Sequence, residues 1–393
     1  MQTASLVFEE IRLKSGKEDS FNRRHHWIFS GAVHPQSLPK EEGALCRILS
    51  VAGQPLGWGF SGTQSIAIRV ISHQPEPDLQ TVLKEKITSA LRYREALGFI
   101  QNSANSAWRW IHGEGDGLPG LIVDVFGAHV VVQFHHIGWN ALQDTVLALL
   151  QEVFPGELQT LALKPINRGV KEEVQLIKGE TGATEILESG ISMWADWAGG
   201  QKTGFFLDQR VNRNRVMHYS KDKEVLNLFS YTGGFSLAAM AGAAGSVHSV
   251  DVSENALEAC ARMMILNGFK GKHTSVQADV MEFLKGESGT WDMVICDPPA
   301  FAKSIKSRHR AIQAYTRLNR MALDAVKPGG LLFTFSCSQV VSTLQFHQLI
   351  VSAGLAAGRK LRIIEQLGQS GDHPINPYHP ETAYLKGLLL YVE

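Results

Sequence analysis

The run Val225-Leu226-Asn227-Leu228-Phe229-Ser230-Tyr231-Thr232-Gly233-Gly234-Phe235-Ser236 decides the fold. It reads as a short apolar strand, a turn on two glycines, and the start of an alanine-rich helix. Glycine in such a turn lets a ligand approach the backbone, and the helix N-terminus offers free N–H groups and partial positive charge. Eighteen residues past Gly233, a second strand-like run ends in Val250-Asp251. A third run is followed by Asp279, and a fourth, Met293-Val294-Ile295-Cys296, runs into Asp297-Pro298-Pro299-Ala300-Phe301. Strands are expected at 223–229, 246–252, 273–277, 292–297 and 329–336 with helices between them, and two more at 361–367 and 384–392. Strands alternating with helices predict a doubly wound α/β domain with a mainly parallel seven-stranded sheet from about residue 186 onward.

Upstream the pattern differs. Residues 1–72 hold short β-like runs broken by Gly53, Gly57, Gly59 and Gly62, which predicts a small β-barrel. The prolines of His73-Gln74-Pro75-Glu76-Pro77-Asp78 suit a linker. Helical spacing over 79–98, then a strand pair at 121–126 and 128–134 turning on Gly127, predicts a small α+β domain over 73–185. The third domain is expected over 186–393. A length of 393 residues suits two or three such units, and 44% apolar with 19% charged residues excludes general disorder.

Lys+Arg and Asp+Glu are both 38, so an anionic partner must meet a local patch rather than a basic coat. Residues 301–320 supply one: Lys303, Lys306, Arg308, Arg310, Arg317 and Arg320 with no acid among them. Phosphate contact and a solvated helix face both explain such a run. The four cysteines lie far apart with no C-x-x-C pair, which disfavours a disulfide framework or a cysteine zinc site and fits a reducing, cytoplasmic setting; no metal site is expected. No apolar run reaches a membrane-spanning length.

Single loop aspartates and one Gly-Gly turn are often mere punctuation. At the ends of three successive strands, Gly233, Asp251 and Asp279 instead outline a nucleoside crevice, with a carboxylate placed for ribose hydroxyls. The turn lacks the G-x-G-x-x-G spacing of a dinucleotide site, so S-adenosylmethionine (SAM) is the expected ligand and a nicotinamide the competitor. Asp297-Pro-Pro-Ala-Phe301 after the fourth strand presents Asp297 rigidly beside a planar substrate. Cys337, in Thr334-Phe335-Ser336-Cys337-Ser338 after the next strand, shares that edge. A thiolate there can add to C6 of a pyrimidine and make C5 nucleophilic toward a methyl donor. Cys46, Cys260 and Cys296 are read as structural. Phe301 and Tyr315 are read as packing residues.

These residues, with Arg24-His-His-Trp27-Ile-Phe-Ser-Gly31, His112-Gly-Glu114-Gly-Asp116-Gly-Leu-Pro-Gly120, Lys202-Thr-Gly-Phe-Phe206-Leu-Asp-Gln-Arg210 and Pro380-Glu-Thr-Ala-Tyr-Leu-Lys-Gly387, resemble the bacterial ribosomal large-subunit methyltransferase I family over nearly the whole chain. Its members are SAM-dependent 23S rRNA cytosine-5 methyltransferases. The resemblance implies an N-terminal PUA domain that binds RNA, a small α+β domain, and a class I Rossmann-like methyltransferase domain. It places SAM against Phe206, Asp208 and Arg210, with Phe229, Tyr231 and Gly233 at the methionine end, Asp251 on the ribose and Asp279 near the adenine. Asp297 also borders the cofactor, and Cys337 matches the family's nucleophile. Lys303, Lys306, Arg308 and Arg310 are the expected RNA contacts. The expected partner is 23S rRNA, in the subunit or an assembly intermediate, with a homodimer as one candidate assembly. The chain departs from the family pattern at His25-His26-Trp27, where members carry one His before Pro-Trp, and at Cys296, where they carry an aliphatic residue. Two other readings stay open: an N-methyltransferase acting on guanine or adenine, and a non-catalytic RNA-binding assembly factor.

Overall fold

The computed structural model describes residues 8–75, 78–166, 173–200, 202–269, 271–302 and 304–393. The chain divides into two compact units. The first comprises Met1–Ile186, Ala195–Phe205 and Gly371–Thr382; the second comprises Leu187–Trp194, Phe206–Ser370 and Ala383–Glu393.

The first unit carries two five-stranded sheets. One orders its strands Glu9–Arg12, Leu45–Leu49, Pro55–Ser61, Ile66–Ser72 and Trp27–Phe29. Its two edges continue into a bridge between Leu13 and Val33, flanked by Lys14 N–H to Ala32 C=O and His34 N–H to Arg12 C=O, both 2.9 Å. Those bonds satisfy edge groups that would otherwise be left open and close the sheet toward a barrel. The other sheet orders Gln175–Lys178, Thr160–Leu163, His129–Phe134, Leu121–Phe126 and Ala107–His112. Helices Leu79–Ala96 and Gln143–Val153 share its core around Trp110 and Trp139.

Two segments expected in the third domain belong to this first unit instead. Thr203 Oγ1 donates to Asp124 Oδ2 at 2.6 Å, in the ion pair that Asp124 makes with Arg109. The buried Arg94 guanidinium, paired with Asp116, also donates to the Asp372 carbonyl at 2.6 Å. A buried guanidinium needs its donors satisfied, and remote backbone here supplies the acceptor.

The second unit is built on a seven-stranded sheet: β1 (Glu224–Leu228), β2 (Ser246–Asp251), β3 (His273–Gln277), β4 (Trp291–Cys296), β5 (Val326–Ser336), β6 (Leu361–Leu367) and β7 (Lys386–Val392). Its order is β3-β2-β1-β4-β5-β7-β6, parallel except where β7 runs antiparallel to β5 and β6. Helices α1 (Arg210–Tyr219), α2 (Gly234–Ala241), α3 (Glu254–Leu266), α4 (Arg308–Ala325) and α5 (Thr343–Ala356) accompany it. The central strands are buried on both faces, as parallel strands covered by helices must be. Leu226, Leu228, Val294 and Leu332 pack with Tyr315 and Leu318 of α4 and Phe346 of α5. The chain order reverses direction between β1 and β4, so the carboxyl ends of β1, β2 and β4 open on one crevice.

His273 on β3 has Nε2 2.8 Å from Ser249 Oγ of β2 and 3.5 Å from Cys260 Sγ of α3. Burial lowers its imidazole from 6.5 to about 4, with His248 acting in the same direction. The folded chain thus keeps the ring neutral where an unfolded chain takes up a proton. That stabilisation is full above the unfolded value of 6.5 and is lost as pH falls from there toward about 4. The urea midpoint of the second unit is therefore expected to drop between about pH 7.5 and about pH 5, and His273→Gln to flatten the slope. An unchanged slope in the variant would remove His273 as its source.

Among the described residues no helix is long and apolar enough to cross a membrane.

Candidate active site

The exit of β1 is a strained turn. Phe229 and Tyr231 adopt φ of 55° and 49°, in the left-handed region that side chains avoid, and Gly233 follows at 80°. Such residues persist only where neighbours hold them. Here Asp251, at the end of β2, accepts the Tyr231 N–H at 2.8 Å on Oδ2 and the Ser253 N–H at 2.9 Å on Oδ1. Gly233 also has a packing role. A Cβ there would lie 2.1 Å from Cys260 Sγ, so glycine is required for packing of the turn against α3 as well as for its φ. Asp279 is exposed and caps the short helix Val280–Phe283, accepting the Glu282 N–H at 3.0 Å.

Facing this turn, the Phe206 ring meets Tyr231 edge to face at 5.5 Å. The segment after Phe206 is fastened from below. Arg213 Nη1 donates to the Phe206 carbonyl at 3.0 Å, and its Nη2 donates to Glu188 Oε2 at 2.7 Å. Arg210 Nε lies 3.4 Å from the same carboxylate. Glu188, Arg210 and Arg213 are all buried. Asp208, also buried, accepts the Tyr384 hydroxyl at 2.6 Å, and its carbonyl accepts the Ser370 N–H at 2.9 Å. Asp208 and Arg210 are thus both buried beside the Phe206 segment.

The β4 edge is tied to the same segment. Asn212 Nδ2 donates to Gln209 Oε1 at 2.5 Å, which orients Gln209 so that its Nε2 donates to Asp297 Oδ2 at 2.9 Å. Across the edge, Ser338 Oγ donates to the Ala302 carbonyl at 2.9 Å and joins the loop after Asp297 to the loop holding Cys337. Tyr315 lies beneath both, fully buried with its ring 4.6 Å from Phe301. Burial raises its phenol to about 12, with Cys337 and Asp297 both contributing upward. All of these groups therefore share one neighbourhood.

Of the four cysteines, Cys46, Cys260 and Cys296 are buried and Cys337 is partly exposed. Burial pushes the thiols of Cys46 and Cys296 well up and that of Cys260 to about 12, which leaves them inert. Beside Cys337 stands a cation. Lys386 pairs across the β5–β7 ladder with Ser336, and its buried Nζ donates to the carbonyls of Ser338 and Tyr384, both at 2.8 Å. Burial lowers this ammonium to about 8 while Cys337 acts to raise it.

Lys386, Tyr384, Gln209 and Glu188 were not read as site residues. Lys386 and Tyr384 stand in the quoted run Pro380–Gly387, where a lysine inside an apolar β-like segment was the available signal. Gln209 stands in the quoted run Lys202–Arg210, and Glu188 lies in no quoted run. Among the expected RNA contacts, Lys306, Arg308 and Arg310 are exposed, as is Arg317. Arg320 instead pairs with Asp324 at 2.8 Å. Lys303 lies outside the described residues.

Residues 167–390 match the family description "S-adenosylmethionine-dependent methyltransferase", and residues 11–73 match "PUA-like domain". A protein of Shewanella amazonensis named ribosomal RNA large subunit methyltransferase I is 36% identical over 97% of this chain and 99% of its own length. A Vibrio cholerae protein of the same name is 35% identical over 96% and 98%. In structure, a protein of Streptococcus mutans assigned to the SAM-dependent methyltransferases superposes with a TM-score of 0.85 at 23% identity, covering 98% of this chain and 100% of that one. Another solved chain, assigned as a methyltransferase and complexed with SAH, gives 0.86 at 22% identity, with 98% and 100% covered. At these identities the structural likeness is one of fold.

Proposed function

Since the chain belongs to the ribosomal RNA large subunit methyltransferase I family and is a SAM-dependent rRNA methyltransferase, we propose that its product is 5-methylcytosine in 23S rRNA, formed through a covalent adduct on Cys337. The observation that carries this reading is the setting of Cys337. It is the partly exposed cysteine of the four, on the edge it shares with Asp297, beside the buried Lys386 ammonium.

The crevice at the ends of β1 and β2 suits SAM. Each Asp251 oxygen receives one backbone N–H and keeps a lone pair for a ribose hydroxyl. Ser230 Oγ is buried in the same turn with no hydrogen-bond partner among the described residues, so a polar ligand group would satisfy it. Asp251 would hold the ribose and Asp279 the adenine side, with Phe206, Phe229, Tyr231, Gly233 and Asp297 around the methionine end. Asp208 and Arg210 would act by fixing the Phe206 segment. Bound there, SAM supplies the methyl group.

A cytosine must leave its stack to reach this edge. Asp297, oriented by Gln209, would accept a hydrogen bond from the exocyclic amine. The Cys337 thiolate adds to C6, C5 takes the methyl group, and loss of the C5 proton expels the thiolate. The N-terminal PUA-like domain and the exposed Lys306, Arg308 and Arg310 would contact phosphates, with Lys303 as a fourth cation. A homodimer and an assembly-intermediate substrate belong to the same proposal.

Nucleoside mass spectrometry of unmodified 23S rRNA after incubation with the protein and SAM tests the product. New 5-methylcytidine is expected. Methylated guanosine or adenosine would favour amine methylation on the Asp297-Pro-Pro-Ala-Phe301 edge, and SAM binding without any product on naked rRNA or pre-ribosomal particles would favour a non-catalytic factor. For the cofactor site, Asp251→Ala is expected to weaken SAM binding by about 10- to 100-fold, the worth of charge-assisted hydrogen bonds to the ribose. Calorimetric titration showing unchanged affinity would move the ribose elsewhere.

A further inference from the structure

Far from Cys337 in sequence, the first unit gathers His25, His379 and Glu381, whose candidate ligand atoms all lie within 4.8 Å of one another. His25 Nε2 is 3.1 Å from Glu381 Oε2, and His379 Nε2 is 3.9 Å from the same oxygen. The two imidazole centroids are 4.2 Å apart. Ligands of one tetrahedral ion with bonds of about 2.0–2.2 Å stand roughly 3.3 Å apart, so small side-chain adjustments would close these atoms on one centre.

His379 is the second, independent observation. It is 1% exposed, and neither Nδ1 nor Nε2 has a hydrogen-bond partner among the described residues. A neutral imidazole carries one donor and one acceptor, and burying both without partners is a cost that a native fold offsets with water or an ion. Its Nε2 is directed toward the Glu381 carboxylate, which as an acceptor-only group could coordinate the same cation. His25 is prepared in a complementary way. Its Nδ1 lies 3.1 Å from the Trp27 N–H and 3.0 Å from the Trp27 carbonyl. With Nδ1 accepting from the N–H, Nε2 carries the proton and donates to Glu381. With Nδ1 protonated and donating to the carbonyl, Nε2 presents a lone pair, the arrangement that backbone carbonyls impose on metal-bound histidines.

We propose that His25, His379 and Glu381 form a site for a divalent transition-metal ion, with zinc the best match to two imidazoles and one carboxylate. A water or an exchanging ligand would fill a fourth coordination position. His25 borders a surface cavity of about 710 Å³ that Arg24, Phe29, Tyr378 and Pro380 also line, which would give such a ligand a route to the His25 side of the site. Glu381 is itself exposed. The ion would pin the segment Gly371–Thr382 to the residues that precede the Trp27–Phe29 strand. Neither the expected activity nor the SAM crevice requires it.

The test uses the full chain, stripped with chelator and titrated calorimetrically with Zn²⁺, then with Co²⁺ as an absorption probe. One ion per chain is expected, with a dissociation constant on the order of 1 μM or tighter. Co²⁺ should give the intense visible bands of a tetrahedral site and quench Trp27, whose ring lies 4.5 Å from His379. Glu381→Gln and His25→Gln should each weaken Zn²⁺ binding by at least about 30-fold, since even residues behind a metal's ligands are worth 10- to 100-fold. His379→Gln should do the same. Glu381 is exposed, so its variant remains informative if burial makes the His379 variant unstable. No stoichiometric binding, or binding that survives all three substitutions, would overturn the proposal.

Discussion

Replacing Cys337 with alanine is expected to lower the rate of methyl transfer to rRNA by at least about 10⁴-fold, equivalent to about 5.5 kcal/mol of barrier, while SAM affinity stays within about twofold. C5 of cytosine is a poor nucleophile until C6 carries an electron-rich substituent, and Asp297 or the basic residues of α4 cannot supply one. The thiolate is therefore the whole route to the product, which sets the size of the effect. Binding should be spared because the groups proposed to hold the cofactor come from the ends of β1 to β4 and the Phe206 segment, and Cys337, after β5, is not one of them. Single-turnover assays on 23S rRNA, paired with calorimetric titration of SAM, separate the two quantities. A variant that still methylates within about tenfold of the wild-type rate would remove Cys337 from the chemistry and leave amine methylation as the better reading.

The second large effect concerns stability. Glu188→Ala should destabilise the second unit by about 3–5 kcal/mol, because it leaves the buried Arg213 guanidinium without its carboxylate and deprives Arg210 of the same partner. The consequence reaches the cofactor site. Arg213 also holds the Phe206 carbonyl, so SAM affinity should fall in the variant even at temperatures where it remains folded. Urea unfolding with and without SAM measures both. Replacing the pair together, Glu188→Leu with Arg213→Met, should recover part of the stability but not the affinity, since the Phe206 carbonyl then loses the Arg213 donor. A loss below about 1 kcal/mol for Glu188→Ala would mean that water or rearrangement compensates the arginines.

The sheet was legible because parallel strands buried on both faces read as apolar runs, and because glycine or aspartate ends them. All seven strands lie where the runs predict them, although β5 begins at Val326, three residues before the expected start at Gly329. The positions of Asp251, Asp297 and Cys337 were legible for the same reason: each is the residue at or just after a strand's carboxyl end. What supports them was not. Gln209 reaches Asp297 across 88 residues of sequence and Tyr384 reaches Asp208 across 176, and no local pattern encodes pairings at that separation. The same holds for Gly371–Thr382, which a reading by strand succession places with the last domain. Arg94, Glu114 and His25 instead engage Asp372, Asn376 and Glu381 in the first unit. Gly233 shows a subtler limit. The sequence pattern identifies a glycine turn but cannot distinguish room for a ligand from room for Cys260.

The most direct test of the proposed chemistry is to trap the adduct. An rRNA fragment carrying 5-fluorocytidine, incubated with the protein and SAM, has no C5 proton to lose, so after methyl transfer the bond between Cys337 and C6 cannot break by elimination. The expected result is a SAM-dependent, denaturation-resistant protein–RNA complex whose nucleotide-bearing peptide contains Cys337, absent from Cys337→Ala. Full methylation of unsubstituted rRNA by the same preparation with no trapped complex would contradict the covalent mechanism, and attachment at Cys46, Cys260 or Cys296 would contradict Cys337 as its nucleophile.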